Sequence, residues 1–222
     1  MSQIRIGIIR EGKVPTDARV PMTPKQCQQV MEAYPEVNIV VQYSEVRKIR
    51  SELYIEKGVK MTDDLDDRDI LLGVKEVPIN MLIPNKTYFF FSHTIKMQPY
   101  NRDLLRAILE KNIRLIDYEL LTDSRGHRVI AFGRYAGVVG AYNGLRAFGE
   151  QSGRYHLRPA HQCEDREEME AELTSLELPK GFKIAITGNG RVGKGAMEIL
   201  KAAGIKEISV NDFIHEEFDH PV

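Results

Sequence analysis

Short apolar runs and longer amphipathic stretches follow one another from the start of the chain. Residues 4–9 are apolar but for Arg5 and read as a strand; Thr23 and Pro24 then open a helix, a hydroxyl at the N-cap with proline at the first helical position. Residues 38–42 are β-branched and strand-like, and a helix over 51–57 stops at Gly58. Residues 69–74 and 87–91 give a third and a fourth strand. A helix over 100–111 carries Leu104, Leu105, Ile108 and Leu109 at helical spacing, and 113–117 is a fifth strand. Strand and helix in alternation predict parallel βαβ units and a doubly wound sheet. The Phe89–Phe91 run reads as core rather than as an aromatic platform for a ligand.

The pattern changes after residue 129. Residues 135–150 are rich in alanine and glycine and predict a helix on which another backbone can lie closely, since four glycines make a poor exposed helix. Residues 154–180 are polar, with a solvated helix over 164–176 ended by Pro179 and Gly181. The boundary between domains falls between 130 and 150, and we divide the chain into a first domain, 1–135, and a second, 136–222.

In the second domain, residues 183–187 read as a buried strand, followed by Gly188-Asn189-Gly190-Arg191-Val192-Gly193, a helix to about Ala203, and a second strand over 207–210. A G-x-G-x-x-G run between a strand and a helix is the setting in which glycines let the backbone approach a pyrophosphate at the helix N-terminus. Gly188, Gly190, Arg191, Val192 and Gly193 are therefore candidate cofactor-binding residues. Asp212, expected at the end of the second strand, would accept hydrogen bonds from a ribose and disfavour a 2′-phosphate, so NAD is expected over NADP. Such a domain needs further strands, and the reading expects it to be truncated here.

Composition narrows the function classes. The 31 basic and 32 acidic residues nearly cancel, which argues against an electrostatic nucleic-acid binder. No apolar run approaches membrane-spanning length, the N-terminus lacks a signal-peptide pattern, and two cysteines make no disulfide framework. A soluble cytoplasmic protein is expected. His161 and Cys163 near Asp165 have poor spacing for zinc, so no metal is expected.

Ligands of an open parallel sheet bind beyond the carboxyl ends of its strands. Four of the five predicted ends there carry titratable groups: Arg10, Glu11 and Arg19; Lys75 and Glu76; His93 and Lys96; Asp117 and Glu119; with Arg128 following. Arginines can clamp carboxylates through paired hydrogen bonds, a lysine crowded by cations can serve as a base, and histidine suits proton transfer near neutrality. The set predicts a site for a carboxylate-bearing, amine-related substrate.

With those residues in view the chain resembles the alanine dehydrogenase and lysine-forming saccharopine dehydrogenase superfamily. The resemblance rests on Ile8–Gly12, Asp17–Pro24, Gly73–Pro78, Phe91–Lys96, Leu115–Glu119, Gly126–Gly133, Tyr135–Gly137 and Gly188–Ala196, in that order, and the middle segments resemble the saccharopine branch. It implies two doubly wound α/β Rossmann-like domains flanking a cleft, the second truncated, with the C-terminal segment that completes the first domain absent. It implies Lys75 and His93 as the acid–base pair, Arg19 and Arg128 as carboxylate holders, and Glu76 and Glu119 as acids tuning the lysine, with Lys96 in the same cluster. It also implies Arg191 and Asp212 as contacts to the adenosine part of NAD. The implied reaction interconverts saccharopine with lysine and 2-oxoglutarate. Alanine dehydrogenase chemistry on pyruvate and ammonia, and a non-catalytic nucleotide-binding subunit of the transhydrogenase kind, remain open. The partners expected are small amino acids and 2-oxoacids, with no nucleic acid and no membrane, and a homo-oligomer is compatible with the sequence.

Overall fold

In the computed structural model, which describes residues 3–222, the chain forms two compact units, Met1–Ile130 and Ala131–Val222. The first unit runs β1 (Ile4–Ile8), α1 (Pro24–Ala33), β2 (Val37–Val41), α2 (Ser51–Glu56), β3 (Lys60–Met61), β4 (Ile70–Leu72), β5 (Thr87–Phe90), α3 (Arg102–Glu110) and β6 (Arg114–Asp117). Its six strands are all parallel, in the order β3-β2-β1-β4-β5-β6. The order reverses beside β1, as in a Rossmann-like sheet.

Alternation along each strand sends neighbours to opposite faces. Val40 joins Leu71, Tyr88 and Phe90 on the face covered by Leu104, Ala107 and Ile108 of α3. Ile39 and Val41 join Ile8 on the other face, with Cys27 of α1 and Tyr54 of α2. Both faces are therefore buried, which is why the strands read as continuous apolar runs. Each fully buried Ile, Val or Leu here contributes about 1.5–3 kcal/mol. The start of α1 is a full capping box: the Thr23 hydroxyl accepts from the Gln26 amide, and the Gln26 side chain accepts from the Thr23 amide at 2.8 Å. Two-residue β3 escapes a periodicity argument. The helix expected from residue 100 begins as a 3-10 turn, Pro99–Asn101.

The second unit holds α4 (Gly133–Ser152), α5 (Arg166–Glu172), α6 (Arg191–Ala202) and α7 (Val210–His215). The small residues of α4 bring backbones together as expected. A Cβ on Gly137 would lie 1.9 Å from the Val192 carbonyl oxygen of α6, and one on Gly195 would lie 2.0 Å from the Arg134 carbonyl oxygen. Val138, Tyr142 and Leu145 pack with Ile199 and Leu200 over Met169 and Leu173.

The strands expected at 183–187 and 207–210 are not formed, a correction to the predicted start of a second doubly wound sheet. A strand needs a continuous ladder of partners. The Phe182 carbonyl accepts from the Val222 amide (2.9 Å) and the Ile184 amide donates to the Val222 carbonyl (2.8 Å), but among the described residues no backbone hydrogen bond joins 183–187 to 205–209. Ser209 caps α7 instead, its hydroxyl accepting from the Asp212 amide.

Candidate active site

All six strands being parallel, their carboxyl ends share one edge, and the loops leaving that edge carry the polar groups. Three residues past β1, Glu11 straps two loops together. Its Oε1 accepts from the Val74 amide (2.7 Å) and its Oε2 from the Lys75 amide (2.9 Å). Burial pushes the Glu11 carboxyl above its ordinary range, against the pull of those two donors. Lys75 is thereby held by its backbone, while its half-buried side chain has no hydrogen-bond or ion-pair partner among the described residues. Asp17 lies close by: its hydrogen bonds from Arg19 hold its carboxyl low, and the Lys75 charge adds to that effect.

Glu76, 8% exposed, is shared by two donors. Lys13 Nζ lies 2.6 Å from its Oε2, and His93 Nδ1 lies 2.6 Å from its Oε1. Burial alone would raise this carboxyl, but Lys13 and His93 together outweigh it and hold it below the ordinary value. An ionised carboxylate only accepts, so His93 Nδ1 carries the proton and Nε2 is left as the ring's exchangeable position. His93 is presented by a left-handed backbone, φ +56°, at the start of the 3-10 turn Thr94–Lys96, and the Phe91 ring stacks beside it. Residues other than glycine adopt this region uncommonly, so its neighbours must hold it there.

A second cluster forms around Glu119, also 8% exposed. Its Oε1 accepts from Arg128 Nη2 at 2.9 Å and lies 3.5 Å from Lys96 Nζ; its Oε2 is buried with no hydrogen-bond partner among the described residues. Arg128 is folded back onto this carboxylate by a small hairpin in which Val129 donates to the Leu121 carbonyl and Asp123 to that of His127. Two cations around one buried acid leave positive charge to spare for an anionic ligand, and a buried acceptor without a donor is suited to an ammonium.

In the second unit, Gly188 adopts φ +88°, which favours glycine. A Cβ on Gly193 would lie 2.3 Å from the Gly188 carbonyl oxygen, whereas at Gly190 it would meet open space. Gly190 caps α6 without a side-chain hydrogen bond, and Arg191, Val192 and Gly193 form the first turn of the helix. A concavity of about 740 Å³ over this loop is lined by Gly188, Asn189, Gly193, Lys194 and Glu207. Shape, open space and helix end fit a dinucleotide pyrophosphate. Asp212 sits in the first turn of α7 rather than at a strand end, because Ser209 starts a helix there. Two acids border the concavity: Glu198, engaged by Arg134 and Arg166, and Glu207, which pairs with Lys201.

Lys75, Glu76 and His93 are thus assembled in one loop cluster, and Lys96, Glu119 and Arg128 in another, with Arg19 turned onto Asp17. Arg10 turns away to Asp63. Sequence reasoning missed Lys13, the second partner of Glu76, although it lies in the same strand-end loop as Glu11. It gave no role to Ser92 or Asp117, whose hydrogen bonds link the two clusters. The two cysteines are buried and form no disulfide, and no helix among the described residues is long and apolar enough to cross a membrane.

Known proteins resemble this chain in sequence and fold. The chain is 35% identical over 227 residues to the mitochondrial alpha-aminoadipic semialdehyde synthase of Bos taurus, covering 91% of this chain and 24% of that protein. It is 29% identical to the saccharopine dehydrogenase [NAD(+), L-lysine-forming] of Emericella nidulans, covering 94% of this chain and 60% of the relative. The chain therefore spans about a quarter of the bovine relative's length. Its fold matches an L-alanine dehydrogenase structure with a TM-score of 0.62 at 15% identity, covering 97% of this chain and 60% of that one. The family model for the alanine dehydrogenase/PNT N-terminal domain matches residues 7–139, which include the parallel sheet from the end of β1 onward and its charged strand-end loops. The chain belongs to the alanine dehydrogenase/PNT N-terminal domain family.

Proposed function

We propose that this chain supplies the substrate-binding and proton-handling part of an NAD-dependent oxidoreductase acting at a C–N bond, and that its substrates are lysine and 2-oxoglutarate, interconverted with saccharopine. The observation that carries the reading is Lys75, half-buried and unpartnered beside the Glu76–His93 pair. A lysine free of ion pairs can take and release a proton as an amine condenses with a ketone and the adduct loses water. His93, its Nδ1 committed to Glu76, assists through Nε2. Arg19 would hold one substrate carboxylate. Lys96 and Arg128 would hold another, a requirement of a dicarboxylic oxoacid that pyruvate does not share. Glu119 offers its open oxygen to the amine end and, with Glu76, tempers the local positive charge.

Gly188, Gly190, Arg191, Val192 and Gly193 would hold the cofactor's pyrophosphate, which leaves the preference for NAD over NADP to the acids nearby, Glu207 on the rim and Asp212 in α7. Bound there, the nicotinamide supplies or accepts the hydride at the substrate carbon. Division of the full protein into a substrate domain and a nucleotide domain, and a reducing, cytoplasmic setting, are parts of the same proposal. The sequence similarity to lysine-forming saccharopine dehydrogenase and to the semialdehyde synthase supports it.

The test follows NADH oxidation by the gene product that contains this chain, with lysine plus 2-oxoglutarate and with ammonia plus pyruvate. Turnover with the first pair is expected. In Arg128→Ala the KM for 2-oxoglutarate should rise about 10- to 100-fold, as the loss of a charge-assisted bond of about 1.5–3 kcal/mol implies. Turnover only with pyruvate and ammonia would assign alanine dehydrogenase chemistry instead, and an unchanged KM in Arg128→Ala would remove its role.

A further inference from the structure

The two clusters are joined by a pair of buried side chains to which the proposed chemistry gives no task. Ser92 is fully buried and Asp117 is 6% exposed. Ser92 Oγ donates to Asp117 Oδ2 at 2.5 Å, and Asp117 Oδ1 accepts from the Glu119 amide at 2.8 Å. The Ser92 hydroxyl has one hydrogen, and it is used on Asp117. The Thr94 hydroxyl, 2.8 Å away, must therefore donate to Ser92 Oγ, which also accepts from the Thr94 amide at 3.2 Å. One donor and two lone pairs are then all engaged.

His93 lies between the two residues so clamped. Its left-handed backbone costs on the order of 1–3 kcal/mol unless its surroundings fix it. Ser92 and Thr94 hold each other across it, and Asp117 anchors that turn to the neighbouring strand. The β5–β6 register pairs Phe90 with Asp117, so both turns leave the sheet side by side. On the other side, Asp117 fixes the first residue past the Glu119 turn's start. Glu119 keeps an oxygen buried without a donor, a position that a loose backbone would abandon to reach water.

We propose that Ser92 and Asp117 are positioning residues, which together set His93 against Glu76 and hold the His93 turn in register with the Glu119 turn. Their effect on turnover rests on the proposed function; their effect on His93 does not, and the two can be measured apart.

The experiment labels histidine with 15N in the 222-residue chain and follows the His93 Nδ1–H proton, assigned by its loss in His93→Asn. A proton in a 2.6 Å bond to a carboxylate is expected downfield and slow to exchange. In Ser92→Ala, in Asp117→Asn and, in case either folds poorly, in Thr94→Ala at a half-buried position, this signal should move upfield or broaden away. Circular dichroism should show the fold retained. In the gene product, Ser92→Ala should lower kcat at least about tenfold with KM changed less than about twofold, as expected for a displaced proton-transfer group. An unmoved His93 signal in the folded variants overturns the proposal. So does a displaced signal with unchanged kcat, which would leave the pair a purely structural role. If the gene product turns over neither substrate pair, the functional reading falls while the His93 signal still decides the positioning.

Discussion

Replacing Glu76 with glutamine tests the electrostatics at the centre of the site. The change keeps shape and one acceptor oxygen but removes the charge shared by Lys13 and His93. Hydrogen bonds to a charged group contribute about 1.5–3 kcal/mol each. Lys13 is 32% exposed at its side chain, and water can replace much of its bond, whereas His93 is 18% exposed and has less access. The net loss at about pH 7 should be close to one such bond, about 1.5–3 kcal/mol. Its pH dependence follows from the lowered carboxyl. A group whose folded pKa is depressed gives stability that is present above its unfolded value, about 4.3 for glutamate, and is lost as the pH falls through the folded value. Urea melts followed by circular dichroism should show the full gap between native chain and Glu76→Gln at about pH 7. The gap should narrow as the pH falls below about 4.3 and close once the pH has passed through the depressed folded value, where the native carboxyl is itself protonated. A gap below about 0.5 kcal/mol at neutrality, or one as large in acid as at neutrality, would refute the charge-sharing account.

Other predictions are simpler. Lys75→Ala should leave stability within about 0.5 kcal/mol, since the side chain has no partner to lose, while turnover of the gene product drops about 10²–10⁴-fold; comparable urea melts with comparable rates would contradict this. Gly137→Ala should destabilise by about 1–3 kcal/mol through its collision with the Val192 carbonyl, while Gly140→Ala, on the same helix facing open space, should stabilise by about 0.5–1 kcal/mol. Thermal melts that rank the two the other way would undo the account of α4 packing on α6. Thr23→Ala removes the α1 capping box and should cost about 1 kcal/mol, read from the urea midpoint.

Much of the first unit was legible before any tertiary information. Five strands, the Thr23 cap and the end of α2 at Gly58 follow from which positions avoid water and which backbones need glycine or a hydroxyl. The strand-end rule collected Lys75, Glu76, His93, Lys96 and Glu119 for the same reason: a parallel sheet delivers every such loop to one edge. The glycine run was equally plain, and the helix after it formed.

The misses share another cause. Residues 207–210 and Asp212 looked like a strand and its end, but their apolar alternation carries no information about a partner strand; without one, the Ser209 hydroxyl captured the amide of Asp212 and started a helix. Lys13 and Ser92 are ordinary polar residues until their partners are known, and Asp117, although collected with the strand-end groups, could not be matched to Ser92 without the structure.

The sequence by itself determined most elements of the first unit, the parallel class of its sheet and the types of charged group on its edge, because these depend on residues within a turn or a strand of one another. Only the tertiary structure decided which charges pair. Glu11 with Lys75, Glu76 with His93 and Ser92 with Asp117 are separated by 64, 17 and 25 residues. A hydrogen bond acts over about 3 Å, so such pairs exist only once packing has brought their loops together.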